Sequence, residues 1–376
     1  MTYCTQKNCF VRGVAASVPP TIRPTDAFTQ LVGEDDVRKF IKNVGVLQSH
    51  VADDHMTTSD LCFTAANSII ERLGIERDSI DVLLFVSQTP DYIAPSTACL
   101  LQYRLGLSED CIAYDINLAC SGYIYGVTAA MSYLQTDGIN RVLLLCGDTV
   151  SKHCSPEDRG LVMLSADAGT ATIIDGGLDG IEELNSSMFK LKTIGKDYRS
   201  LIVPYGGYRH RHGDFNRTLR EPGISRNDYD GYMNGANVFR FSITEVPKLF
   251  REFFGHFDIC PDEIDNFFLH QANLFILKHI AKRVKIPLGK MPVSIDRYGN
   301  TGAATVPLTM CDHYASEAEA IVNENILICG FGIGLSLGIG LLGLKDCVIM
   351  PIIICHENFE DNIDNLHNET TSFLNK

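Results

Sequence analysis

The chain has 376 residues, 45% of them hydrophobic and 21% charged, with a formal net charge of −14. That length supports one large domain or two fused ones with a sizeable core. The acidic balance excludes general nucleic-acid binding, which needs a basic face. Thirteen cysteines are many, but the number is odd and none stand in a Cys-x-x-Cys spacing. With a polar N-terminus lacking an apolar signal core, they read as free thiols of a reducing, cytoplasmic protein. No apolar run is long enough to span a bilayer, so no membrane partner is expected.

In chain order, Ile80–Phe85 is short, apolar and bounded by turn residues, and reads as a buried strand. A helical pattern follows from Ser96 to Leu105. The run Asp115-Ile116-Asn117-Leu118-Ala119-Cys120-Ser121-Gly122 then sets a thiol just before a helix rich in small residues, Gly122 to Leu134. Unpaired N–H groups and partial positive charge at such a terminus favour a thiolate. A second buried strand is expected at Val142–Gly147. Asp167, in a Ser-Ala-Asp-Ala-Gly turn, reads as structural.

From Lys190 to Tyr232 the pattern turns irregular, with a basic run at Arg209-His210-Arg211-His212, and reads as an insertion. Regularity returns at Ile264–Leu269, which echoes Ile80–Phe85. His270 follows directly, then a helix over Leu274–Val284. Asn300 stands in Gly299-Asn300-Thr301-Gly302, ahead of a helical pattern from Ala304 to Ala318. Ile326–Gly330 echoes Val142–Gly147, and the interval between echoed strands agrees within one residue in the two parts. Gly330–Leu344 reads as a loop followed by a buried strand. In the tail, Val348–Cys355 is apolar and expected to dock on a sheet, and the remainder is acidic and frayed.

Alternating strands and helices imply an α/β fold with buried sheets. The echo implies two similar halves about a pseudo-twofold axis: residues 1–180 carrying Cys120, and residues 181–345 carrying His270 and Asn300, with the insertion near 190–232 and a tail at 346–376. Equivalent loops of facing halves would bring Cys120, His270 and Asn300 to one pocket. Cys62, Cys99, Cys146, Cys260 and Cys329 read as buried and inert. His210 and His212 lack convincing partners for a metal, and no metal site is expected.

The Ala119-Cys120-Ser121-Gly122 elbow, His270-Gln271-Ala272-Asn273 and Gly299-Asn300-Thr301-Gly302 occur together with Ala94-Pro95-Ser96-Thr97-Ala98, Asp158-Arg159-Gly160 and Met233-x-Gly235-x-x-Val238-Phe239. With Gly332-Ile333-Gly334, this set resembles the thiolase-fold condensing enzymes, most closely the 3-oxoacyl-(acyl-carrier-protein) synthase III family. The resemblance implies a layered αβαβα fold, a homodimer, and a role in fatty acid biosynthesis. It implies that Cys120 takes an acyl group from a thioester. A malonyl thioester then loses carbon dioxide, with His270 and Asn300 stabilising the enolate-like charge, and attacks the acyl-cysteine. Backbone N–H groups of Cys120 and of the Gly332–Gly334 loop would form the oxyanion hole.

By the same resemblance Arg159, Ala94, Phe239, Asn273, Gly332 and Ile333 contact substrate. No cofactor is held permanently; acyl-CoA or acyl-carrier-protein thioesters are substrates. The family's early Trp is missing, since the chain has none, and Lys39 and Asn43 stand at matching positions, which favours a carrier-protein donor. Ala94 stands where the family often has a bulky residue, which implies room for a primer larger than acetyl. Exposed Lys278, Lys282 and Arg283 would dock an acidic acyl carrier protein. The alternative reading keeps the fold and Cys120 but moves the acyl group to a hydroxyl or amine, with His270 as base.

Overall fold

The computed structural model describes residues 2–177, 186–221, 223–316 and 318–361. Two sheets carry the fold. β1 (Thr2–Gln6) belongs to one, and β2 (Cys9–Val18) opens the other. After β2 come α1 (Thr58–Leu73), β3 (Val82–Val86), α2 (Thr97–Arg104), β4 (Ile112–Ile116), α3 (Gly122–Tyr133), β5 (Arg141–Thr149) and β6 (Asp167–Gly176). Then β7 (Ser187–Thr193), α4 (Gly235–Phe257), β8 (Asn266–Leu269), α5 (Leu274–Val284), α6 (Thr305–Tyr314), β9 (Asn325–Gly332) and β10 (Ser336–Gly343) repeat the sequence with one strand fewer. β11 (Cys347–Ile349) and β12 (Ile353–Ile354) close the described chain.

The first part orders its strands β2-β6-β5-β3-β4, and the second β7-β10-β9-β8. In both, the echoed pair is parallel: Val86 pairs with Cys146, and Leu269 with Cys329. The strands' alternation explains the layers. Val82, Leu84 and Val86 face a central cluster with Tyr123, Ile124 and Val127 of α3 and with Val306, Leu308 and Met310 of α6. Ile326 and Ile328 of the other sheet join that cluster. Leu83 and Phe85 face outward onto Ala65, Ile69 and Leu101 of α1 and α2. Leu327, Cys329 and Phe331 face outward onto α4 and α5. The stack is therefore αβαβα, with α3 and α6 in the middle layer. Gly126 lets α3 lie close to the sheet: a Cβ there would stand 2.7 Å from Leu144 Cδ1.

Several boundaries differ from the sequence reading. Lys190 to Thr193 are strand, paired with β10 through Lys190–Ile339 and Lys192–Leu337, so the irregular segment starts only after Thr193. Helix α6 ends at Tyr314, four residues before Ala318, and Gly330–Gly332 complete β9 rather than a loop. The first residues cross over: β1 pairs with β7 and extends the second part's sheet. The apolar tail docks as expected, with β11 and β12 both parallel to β2. Phe359 of that tail stacks over Arg104, whose guanidinium makes a buried ion pair with Asp60 at 2.8 Å. The 180/181 division and the end of the tail lie outside the described residues.

Candidate active site

Cys120 sits between β4 and α3, with Ser121 as the helix N-cap. The loop after β9 crosses over it from the other half. A Cβ on Gly332 would stand 2.5 Å from Cys120 Cβ and 2.7 Å from Sγ, so no side chain fits there. Ser121 Oγ and Ser336 Oγ, 2.7 Å apart, tie the two loops together. The N–H of Ile333 and the N–H of Cys120 itself both point at the sulfur.

Burial dominates the thiol's chemistry. It pushes Cys120 up to about 11, against the lowering effect of the Ile333 N–H, while the negative field of Asp148 adds to the rise. Withdrawal from water thus works against the thiolate that the helix terminus favours. The same two N–H groups are free to serve an acyl oxygen on that sulfur.

His270 is 2% exposed and lies where β8 ends, its N–H held by the Cys329 carbonyl. Burial drives its imidazole down to about 3, so it is neutral at rest. Nδ1 stands 2.7 Å from Thr305 Oγ1, which also reaches the Gly302 carbonyl at 3.3 Å. That hydroxyl answers either neutral tautomer: it accepts from Nδ1–H while donating to Gly302, or donates to a bare Nδ1. The ring sits edge-on to Phe331, centroids 5.5 Å apart.

Asn300 stands in a turn fastened at both ends. Its N–H donates to Leu164 O at 2.9 Å, and its carbonyl accepts from Ala166 N at 3.0 Å. Oδ1 accepts from Gly302 N at 3.2 Å, which leaves the amide NH2 as the donor available to the site. The positive φ angles of the turn belong to Gly299 and Gly302, at 63° and 60°, not to Asn300.

Cys120, Asn300 and Ile333 line one cavity of about 140 Å³. Its wall is mainly apolar, with Leu161, Leu164, Leu201, Ile202, Val203 and Met233. His270 stands at the end of β8, next to the strand whose Gly330 and Gly332 pack on Cys120. Three titratable residues on the wall were not read from the sequence: Asp148, His153 and Cys154. Asp148 carried one signal, a lone acid at the carboxyl end of an apolar strand; the other two carried none.

The remaining expected contacts fall elsewhere. Asn273 caps α5, its Oδ1 accepting from Ile276 N at 2.7 Å, because a helix start needs an acceptor there. Phe239 packs on Phe275 with centroids 5.8 Å apart, filling the seam between α4 and α5. Arg159 is at the surface, 3.5 Å from Asp36. Ala94 is exposed, outside the cavity of its own chain, and precedes a cis proline. Lys278, Lys282 and Arg283 are all exposed on α5. Cys62, Cys146 and Cys329 are buried as expected, but Cys99 and Cys260 are exposed, since each falls on the solvent side of its loop or helix. Asp167 is fully buried and accepts from Ala52 N and Ser151 N, a structural brace.

A cysteine, an imidazole and a carboxamide, delivered by two topologically equivalent halves of an αβαβα stack, define a condensing enzyme of the thiolase fold. Residues 114–192 match the family described as 3-oxoacyl-[acyl-carrier-protein (ACP)] synthase III, and residues 257–344 match its C-terminal part. The beta-ketoacyl-[acyl-carrier-protein] synthase III of Latilactobacillus sakei is 32% identical over 330 residues, 87% of this chain and 97% of the relative. That of Porphyra purpurea is 31% identical over 330 residues, again 87% and 97%. The crystal structure of a 3-oxoacyl-(acyl-carrier protein) synthase from Burkholderia xenovorans superposes with a TM-score of 0.85 at 34% identity, covering 94% of this chain and 99% of that one. The chain belongs to the 3-oxoacyl-(acyl-carrier-protein) synthase III family.

Proposed function

We propose that the protein makes a 3-oxoacyl thioester in two half-reactions on Cys120, as an acyltransferase and carbon–carbon bond-forming synthase. In the first, Sγ attacks an acyl thioester. The thiol proton ends on the departing thiol, and the Cys120 and Ile333 N–H groups hold the oxygen of the acyl-cysteine. In the second, a malonyl thioester breaks its bond to the carboxylate and releases carbon dioxide. The electron pair moves onto the thioester oxygen, where the Asn300 amide and the neutral imidazole of His270 donate hydrogen bonds. The carbon then attacks the acyl-cysteine, and the expelled thiolate regains a proton from solvent.

The observation that carries this reading is the shared cavity: an acyl-accepting sulfur under two N–H groups, a free carboxamide donor, and an apolar wall for the chain. Burial, which pushes the imidazole down to about 3, makes His270 a weak base and so favours its role as a hydrogen-bond donor over the alternative, in which it would act as a base on a hydroxyl or amine. The cavity runs beyond the sulfur along Leu161, Leu164 and Met233, which supports a primer longer than acetyl.

The exposed basic face of α5 supports docking of an acidic acyl carrier protein, with no permanent cofactor. Edge strand β4 ends the larger sheet and exposes Ile112, which supports a homodimer by sheet extension. No helix among the described residues is long and apolar enough to cross a membrane, and we read the enzyme as cytoplasmic. Residues 1–180 and 181–345 are taken as the two functional halves.

The test is intact-protein mass spectrometry with acyl thioesters of increasing length, followed by malonyl-carrier. Acylation of the native protein but not of Cys120→Ala, then release of carbon dioxide, is expected. Acylation without carbon dioxide release would move the reading to the alternative.

A further inference from the structure

Asp148 is 1% exposed and stands on the cavity wall with Cys120 and Asn300. Among the described residues it makes no ion pair, and the nearby charge of Asp167 is repulsive. A buried acid without a counter-charge is costly and persists where its hydrogen bonds do something specific.

Those bonds run in two directions. Oδ1 accepts from Gln88 N at 2.7 Å and from Ser87 Oγ at 3.1 Å, both in the loop after β3. Oδ2 accepts from Ala303 N at 2.8 Å, three residues beyond Asn300. Gly302 lies so close that a Cβ there would stand 2.2 Å from Oδ2. The carboxylate thus reaches out of the first half and takes hold of the second half's Asn300–Ala303 turn. The turn's other fastenings, to Leu164 and Ala166, fix its start. Asp148 holds its end from the other half, where the backbone enters α6 and Thr305 Oγ1 also reaches the Gly302 carbonyl.

We propose that Asp148 is a positioning residue for the carbanion-forming half-reaction: it sets the Asn300 turn so that the amide donor meets the malonyl thioester oxygen. Acylation of Cys120 feels Asp148 through its field on the thiol and not through its hydrogen bonds, because the sulfur and its two N–H donors are held by the loop after β9 and by the Ser121–Ser336 contact. The assignment rests on the two-step reading above.

The experiment measures both half-reactions in the full-length protein with Asp148→Asn and Asp148→Ser. Acylation is counted by mass, and carbon dioxide release from malonyl-carrier is normalised to the acylatable Cys120. Losing one charge-assisted bond predicts a fall in decarboxylation of about tenfold to a hundredfold. Acylation should stay within about threefold of the native protein, well below the effect of one lost bond of that kind. In an Asn300→Ala background, Asp148→Asn should cause no further loss, because the acid acts only through that side chain.

Equal losses in both half-reactions, unchanged decarboxylation, or additive losses in the double variant would overturn the proposal. Failure of both variants to fold would do the same, since a group that only aims a turn is dispensable for folding. If the native protein acylates but releases no carbon dioxide, the underlying two-step reading fails instead.

Discussion

The ends of β5 and β9 occupy equivalent places in the two halves and do opposite jobs. By strand register, Ser87 corresponds to His270 and Asp148 to Phe331. In the first half the pair is polar: Ser87 donates to Asp148, and the carboxylate reaches across to the other half's turn. In the second it is an imidazole edge-on to a phenyl ring, which helps dry the His270 site and keep it neutral. One frame was therefore loaded with an acceptor at one end and a desolvating wall at the other. Each half holds the other's reactive loop: β9 grips Cys120, and β5 grips Asn300. This crossing makes the site a property of the joined halves and of neither alone.

The comparison is most exposed to failure at the sulfur. If burial by the β9 loop governs Cys120, its alkylation by iodoacetamide should climb about tenfold per pH unit from 7 to 9 without levelling, as for a thiol titrating near 11. Peptide mapping would separate it from exposed Cys99 and Cys260. A plateau below pH 8 would show that the helix terminus wins after all. Next in size, Gly332→Ala puts a methyl against the sulfur. Acylation should fall about a hundredfold, with about 1–3 kcal/mol of destabilisation in urea; normal acylation would mean the loop is not what encloses Cys120.

The two strand ends should also titrate with opposite sign. His270 binds its proton near 6.5 when unfolded and near 3 when folded, so it lowers stability as pH falls from 6.5 towards 3. Asp148 binds near 3.8 unfolded and about 7 folded, so it lowers stability as pH rises from 3.8 to 7. Urea unfolding between pH 4 and 7 should show a steeper fall with rising pH in His270→Gln, and a shallower one in Asp148→Asn. Identical slopes in both variants would erase the distinction between the halves. The smallest effect lies on α5. Lys278→Glu should weaken binding of an acyl carrier protein by roughly 1 kcal/mol or less, more at low salt, while leaving acyl-CoA turnover unchanged.

Much of the frame could be read beforehand because it repeats. The apolar runs at 80–85, 142–147, 264–269 and 326–330 are uniform enough that burial on both faces was the simplest account, and all four are buried strands, with β8 at the edge of its sheet. Cys120 and Asn300 announced themselves through flanking glycines, and Gly299 and Gly302 are where the first half comes close to the Asn300 turn. Asp148 escaped because one acid after an apolar run looks like any strand end. Asn273 and Phe239 misled because a cap and a seam residue occupy motif positions as readily as a ligand does. Strand β1 gave no sign of joining the far sheet, since edge pairing depends on which backbone lies alongside.

Local pattern, then, determined the α/β alternation, the internal repeat and which side chains are candidates for the reacting groups, all of which depend on side-chain type at short range. Tertiary structure alone decided that burial raises the Cys120 thiol, that burial keeps His270 neutral, and that a carboxylate of one half aims the amide of the other. Those outcomes depend on how much water is excluded and which dipoles face each group, and both are set by segments distant from one another in the chain.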